Sequence, residues 1–130
     1  MRIYVDTNVY LDYLLEREDR RGHSLDDIAF EVLRRARSCE FEIVLSDHVL
    51  NELYRQVDVE QAEMLWGMLK KKIVPVQTEQ QDIDLARTLP THVADALHIV
   101  LARKMGAEIV VTRNVADFRD LMEAKRPEDI

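Results

Sequence analysis

The sequence predicts an α/β fold of three layers: a short central parallel sheet of four to five strands with helices on both faces. Two observations carry this expectation. Short apolar runs rich in β-branched residues alternate along the chain with segments of helical period, and the connections between them are brief. The strand-like runs are also continuously apolar instead of alternating, which marks strands covered on both sides.

Taken in order, residues 2–5 (Arg-Ile-Tyr-Val) form a first strand, and Val9, Leu11, Leu14 and Leu15 recur at the spacing of a helix over about 7–16. A polar loop containing Gly22 follows, and Ser24 is placed to cap a helix that carries Ile28, Val32, Leu33 and Ala36 on one side, with Asp27 three residues after the cap. "FEIVL" (41–45) is the second strand. Ser46 then caps a helix bearing Val49, Leu50 and Leu53, and Asp58 caps another whose apolar stripe is Ala62, Leu65, Trp66 and Leu69. "KIVPV" (72–76) is a third strand, and Pro75 assigns it to a sheet edge because proline cannot donate to a ladder. Residues 79–88 read as helix and Pro90-Thr91 as punctuation. A strong helix spans 92–105 with Gly106 just past its end, and "AEIVVT" (107–112) is the last clear strand. The tail "LMEAKRPEDI" shows no clear strand pattern and reads as a shortened or helical end.

A chain of 130 residues that is 47% hydrophobic and 33% charged is expected to be one globular domain, 1–130, with no repeat or linker. No run approaches the roughly 18 apolar residues of a membrane span. Asp6 interrupts any apolar leader, and the single cysteine, Cys39, has no internal partner and reads as a helix-end residue; both favour a reducing cytoplasm. The formal net charge of −7 is unlike that of most proteins that grip nucleic acid through phosphates. Basic residues cluster only locally, at Arg17/Arg20/Arg21, Arg34/Arg35/Arg37 and Lys70/Lys71/Lys72, where a solvated helix face explains them as well.

The chemistry is suggested by acids at the carboxyl ends of strands, the side on which such sheets bind ligands. Asp6 follows the first strand, Glu52 lies in the helix after the second, and Asn114 and Asp117 follow the last. Asp95 sits in the most apolar helix of the chain, where a carboxylate is costly unless something pairs with it. Singly, each has a structural reading: Asp6 as an N-cap, Glu52 as an exposed helix residue, Asn114 and Asp117 as turn and cap residues of a short last helix. Together they are harder to dismiss. Carboxylates within about 4 Å repel by roughly 4 kcal/mol per pair at an effective dielectric near 20, so a cluster requires protons or cations. Oxygen donors without a cysteine–histidine set favour Mg²⁺ or Mn²⁺ over zinc.

Three segments, "YVDTNVYLDYL", "LSDHVLNELYR" and "HVADALHIVLARKMGAEIVVTRNVADF", occur in order and resemble the motifs of PIN-domain ribonucleases, especially VapC-like toxins of toxin–antitoxin pairs. The resemblance runs from about residue 2 to residue 118. It implies a PIN-like fold and an endoribonuclease in which Asp6, Glu52 and Asp95 hold one or two Mg²⁺ or Mn²⁺ ions and a metal-activated water attacks phosphorus. Its fourth position falls on Asn114, an amide where an acid is usual, with Asp117 one turn away as an alternative ligand. Thr7 and Thr112 are expected to support the acids or their waters, Arg113 to contact phosphate or to be a rim residue, and His98 to orient a carboxylate from the same helix face as Asp95. His48 and His92 read as cap or surface residues. The resemblance further implies an RNA substrate, a homodimer and an antitoxin partner, with Trp66 and the Met64/Leu65/Met68/Leu69 stripe assigned either to the core or to that interface. Two rivals remain: a non-catalytic PIN-like module, kept open by Asn114, and a receiver- or phosphatase-type domain. The latter fits less well, because Asn8 stands where a second Asp is wanted and Arg113 where a Lys is wanted.

Overall fold

The computed structural model describes residues 1–130. Strands β1 (Arg2–Val5), β2 (Glu42–Ser46), β3 (Ile73–Val76), β4 (Ile109–Val111) and β5 (Ala124–Lys125) form one sheet in the order β3-β2-β1-β4-β5, parallel throughout. The helices are α1 (Thr7–Leu14), α2 (Leu25–Arg37), α3 (Asp47–Leu53), α4 (Val59–Leu69), α5 (Gln80–Ala86), α6 (Val93–Lys104) and α7 (Val115–Phe118).

The strand order dictates the layers. From β1 the chain steps to β2 and β3 in one direction, then crosses back to β4 and β5 in the other. Because parallel crossovers are right-handed, α1–α4 cover one face and α5–α7 the opposite one. The helix contacts agree: α1 packs on α2 and α3, and α2 on α4, while α6 packs on α5 and α7. The order reverses between β1 and β4, and a crevice opens there beyond the carboxyl ends of the strands.

The three inner strands are dry. Ile3, Tyr4, Val5, Ile43, Val44, Leu45 and all of β4 are buried, joined from the helices by Val9, Leu11, Leu33, Leu53, Leu69 and Ile99. Helix α6 is enclosed nearly all round, with seven successive residues, Ala96–Ala102, out of solvent. Trp66 divides its loyalties: the indole N–H donates to the Tyr54 hydroxyl at 2.8 Å and the ring meets Tyr10 edge-on, yet the side chain is only half-buried. Of the stripe around it, Leu65 and Leu69 enter the core, while Met64 stands 86% exposed.

Ser24 and Ser46 cap α2 and α3, accepting from the backbone N–H groups of Asp27 and Val49. At α4, the Gln61 side chain reaches back to the N–H of Asp58 at 2.8 Å. Gly106 follows α6 at φ +71°, the left-handed position where glycine carries no Cβ penalty. Cys39 is exposed just past α2, and β3 with Pro75 is an edge strand. Two differences from the sequence reading concern the last third of the chain. The expected strand 107–112 is shorter, and the tail supplies β5 where no strand pattern is visible. Two residues carry no periodicity; β5 exists because the N–H groups of Val110 and Thr112 donate to Glu123 and Lys125. Buried Phe118 packs beneath, and a short turn of 3₁₀ helix, Pro127–Asp129, closes the chain.

Candidate active site

Asp6 is fixed by the sheet before its side chain acts at all. Its N–H donates to Val111 O at 2.9 Å, so the β1–β4 ladder runs one residue past β1 and sets the carboxylate at the mouth of the crevice. The residue occupies the N-cap position of α1, but its carboxylate does not cap that helix. It accepts instead from the Thr112 hydroxyl at 2.9 Å, across from the end of β4. Thr112 in turn accepts from the N–H of Asn114, which holds the turn after β4.

Glu52 arrives from α3, and two donors converge on its Oε1: the Thr7 hydroxyl at 2.6 Å and His98 Nε2 at 2.8 Å. His98 is 2% exposed and lies 4.0 Å from Asp6, so one imidazole stands between two carboxylates contributed by different strand ends. Behind it runs a buried chain: His98 Nδ1 meets the Tyr4 hydroxyl at 2.7 Å, which meets Ser46 Oγ at 2.7 Å. Nε2–H is donated to Glu52, and Nδ1, the Tyr4 hydroxyl and Ser46 Oγ complete the chain behind it. Both partners lie on strands, so the ring cannot turn without breaking contacts to the sheet.

A cavity of about 260 Å³ is bordered by Asp6, Thr7, Asn8, Glu52, Asp95, His98 and Asn114, with Arg55 and Gln56 at its rim. Asp95 is half-buried on the first turn of α6, one turn before His98. Asp117 is exposed on α7, close enough that its charge bears on Asp95, but it lines the neighbouring cavity. Arg113 also turns away: its guanidinium forks onto Asp12 at 2.6 and 3.0 Å, and Asp12 is 1% exposed.

Burial governs the electrostatics of the acids, and one cation, Arg55, lines the cavity. Burial pushes the Asp6 carboxyl above its ordinary range, with His98 and Thr112 offsetting only part of the effect. Asp95 is raised as well, by burial first and by Asp117 and Glu52 after it, against the pull of His98 and His92. Glu52 goes the other way. Burial opposes its charge, but the bonds from His98 and Thr7 outweigh that and hold it at about 2.

Two features depart from the sequence reading. The expectation of oxygen donors without histidines does not hold, because His98 and His48 both stand beside Glu52. The ligand atoms of His48, Glu52 and His98 lie within 4.8 Å of one another, whereas the three carboxylates do not form such a group. His48 is no surface residue either. Its ring lies tilted against that of His98, centroids 4.3 Å apart, and its Nε2–H donates to Ala94 O at 3.0 Å, tying α3 to α6. The spacing held a signal for it, since His48 and Glu52 are four apart on one helix. Tyr4 and Ser46 had none, looking in sequence like a strand residue and a cap. His92 does cap α6, accepting from the N–H of Ala94.

A doubly wound sheet with an acid-lined crevice at its switch point places the site where open α/β sheets bind their ligands. The chain belongs to the PIN domain family, whose model matches residues 2–116. Solved structures share the fold along almost the whole chain at low identity. The Mycobacterium tuberculosis VapC20, a sarcin–ricin loop cleaving toxin, is 17% identical with a TM-score of 0.67, covering 96% of this chain and 99% of that one. A chain of the Rickettsia felis VapBC2 complex with a promoter DNA fragment is 16% identical at TM-score 0.64, covering 97% and 98%. VapBC-1 from nontypeable Haemophilus influenzae is 16% identical at 0.60, covering 98% of each. No curated protein sequence matches the chain.

Proposed function

We propose that this chain is a metal-dependent endoribonuclease, the toxin of a toxin–antitoxin pair. One observation carries the reading: Asp6, Glu52, Asp95 and Asn114, drawn from four separate segments, border one polar cavity at the switch point of a PIN-family sheet. The donor set suits Mg²⁺ or Mn²⁺. Such ions keep several waters and take one or two carboxylates plus substrate phosphate, which matches acids spaced around a cavity better than a tight protein cage. Asp6, Glu52 and Asp95 would hold the ion, and Asn114 or Asp117 would complete the set. When bound, the ion supplies Lewis acidity that lowers the pKa of the attacking water and offsets charge on the phosphate oxygens.

The protein's share of the mechanism is positioning. Thr7 and His98 keep Glu52 ionised and aimed into the cavity, and Thr112 fixes the rotamer of Asp6. Tyr4 and Ser46 hold His98 in turn. The apolar hollow lined by Tyr13, Leu14, Met64, Leu65 and Met68 supports a protein partner, the antitoxin or a second copy of the chain. No helix of the chain is long and apolar enough to cross a membrane.

The test is cleavage of single-stranded RNA with Mg²⁺ or Mn²⁺. Asp6→Asn and Asp95→Asn should each reduce the rate at least about a hundredfold, and calorimetry should show weakened ion uptake. Metal-dependent cleavage indifferent to both changes would sink the assignment. Because Asn114 brings no charge to the fourth position, a non-catalytic binding module is the second reading. Ion uptake without cleavage of any RNA would favour it.

A further inference from the structure

The largest cavity of the molecule, about 480 Å³, adjoins the acidic one, and Asn114 borders both. Four cations line it, Arg113, Arg119, Lys125 and Arg126, against two acids, Asp117 and Asp129. In a chain of net charge −7 this hollow has the opposite sign to the molecule. Its cations differ in how far they are already committed. Arg113 is held by Asp12, and Lys125 has only a long 3.7 Å pair with Glu123. Arg119 and Arg126 are exposed and form no ion pair or side-chain hydrogen bond. A third hollow, of about 440 Å³, shares Arg113 and Arg126 with the second. The three cavities therefore follow one another, from the acids through Asn114 into the basic cleft and on past Arg126.

We propose that this track carries the phosphodiester backbone of single-stranded RNA running on from the scissile bond, with Arg119, Lys125 and Arg126 contacting phosphates. The inference rests on the nuclease reading above and adds where the substrate lies. Unpaired guanidinium groups beside an anion-repelling centre have a purpose if the polyanion must be held against that repulsion. The cleft is lined by no aromatic residue on which bases could stack. Phosphate contacts set affinity and register without reading sequence. Discrimination among RNAs must then come from elsewhere on the surface.

The experiment measures binding of labelled RNAs of about 4 and 12 nucleotides by anisotropy, across a salt series, with Asp6→Asn present throughout to prevent cleavage. Arg119→Ala/Arg126→Ala should weaken the longer RNA about tenfold, by the same factor for unrelated sequences, and barely affect the shorter one. The slope of log affinity against log salt should flatten by about 1.4, the change expected when two phosphates of a single strand are no longer neutralised. Arg119→Lys/Arg126→Lys should restore most of the affinity, and Arg37→Ala, on α2 outside the three hollows, should change nothing. A matched DNA strand bound with the same weakening on mutation supports recognition of phosphate alone. Unchanged affinity and slope in the double alanine variant, while the wild type still cleaves RNA, overturn the cleft assignment and leave the nuclease standing. A wild type that neither binds nor cleaves RNA overturns both.

Discussion

At the residue scale, what distinguishes this site is that two of its acids, Asp6 and Glu52, are held by donors from elements far apart in sequence. Thr112 reaches Asp6 from 106 positions away, and His98 reaches Glu52 from 46. A contrasting residue is Tyr10, whose buried hydroxyl finds no hydrogen-bond partner. Burial alone pushes its phenol far above the ordinary range. An unmade bond of this kind costs about 1–3 kcal/mol, while the ring contact with Trp66 would survive loss of the oxygen. Tyr10→Phe is therefore expected to stabilise the protein by about 1 kcal/mol, raising Tm by roughly 3–5 °C in calorimetry. A lower Tm would show that the hydroxyl is satisfied.

At the element scale, the start of α5 is tied to the end of α6 by a cluster of polar contacts. Lys104, in the last turn of α6, donates to Asp82 at 2.8 Å and to Glu79 at 3.0 Å, and the N–H of Glu79 also donates to Asp82. Burial disfavours the Asp82 charge, but these partners outweigh it and hold the carboxyl below its ordinary range. A depressed folded-state pKa means stability present above the unfolded value and lost as pH falls through the folded one. Asp82→Asn should accordingly lower Tm by several degrees at pH 7 and by less at an acidic pH below the depressed folded-state pKa, where protonation removes the ion pair. A deficit of equal size at both pH values would assign the effect to packing. The elements themselves were largely legible: apolar runs gave β1–β4, capping serines gave α2 and α3, and Gly106 gave the end of α6. Strand β5 was not, because its hydrogen bonds depend on a neighbour already in place and leave no mark on residue choice.

At the scale of the whole molecule, the acids at the strand ends could be singled out in sequence because carboxylates are rare beside buried apolar runs. Their supports could not. His48 and Tyr4 acquire their roles only when α3, α6 and β1 meet, and the basic cleft joins residues of α7 and β5 that no periodicity links. The strand order has one further consequence. The central strand β1 is made well before β4, its neighbour on one side, which is contributed by residues 109–111. Val5 and Asp6 have no neighbour on that side until residues 109–111 are synthesised, and pairing over such a sequence distance is slow. The crevice at the switch point is therefore completed only once β4 has been made. A version truncated after Gly106 should show no cooperative melting transition and, on the proposed reading, no ion uptake, because β1 then lacks its neighbour on one side.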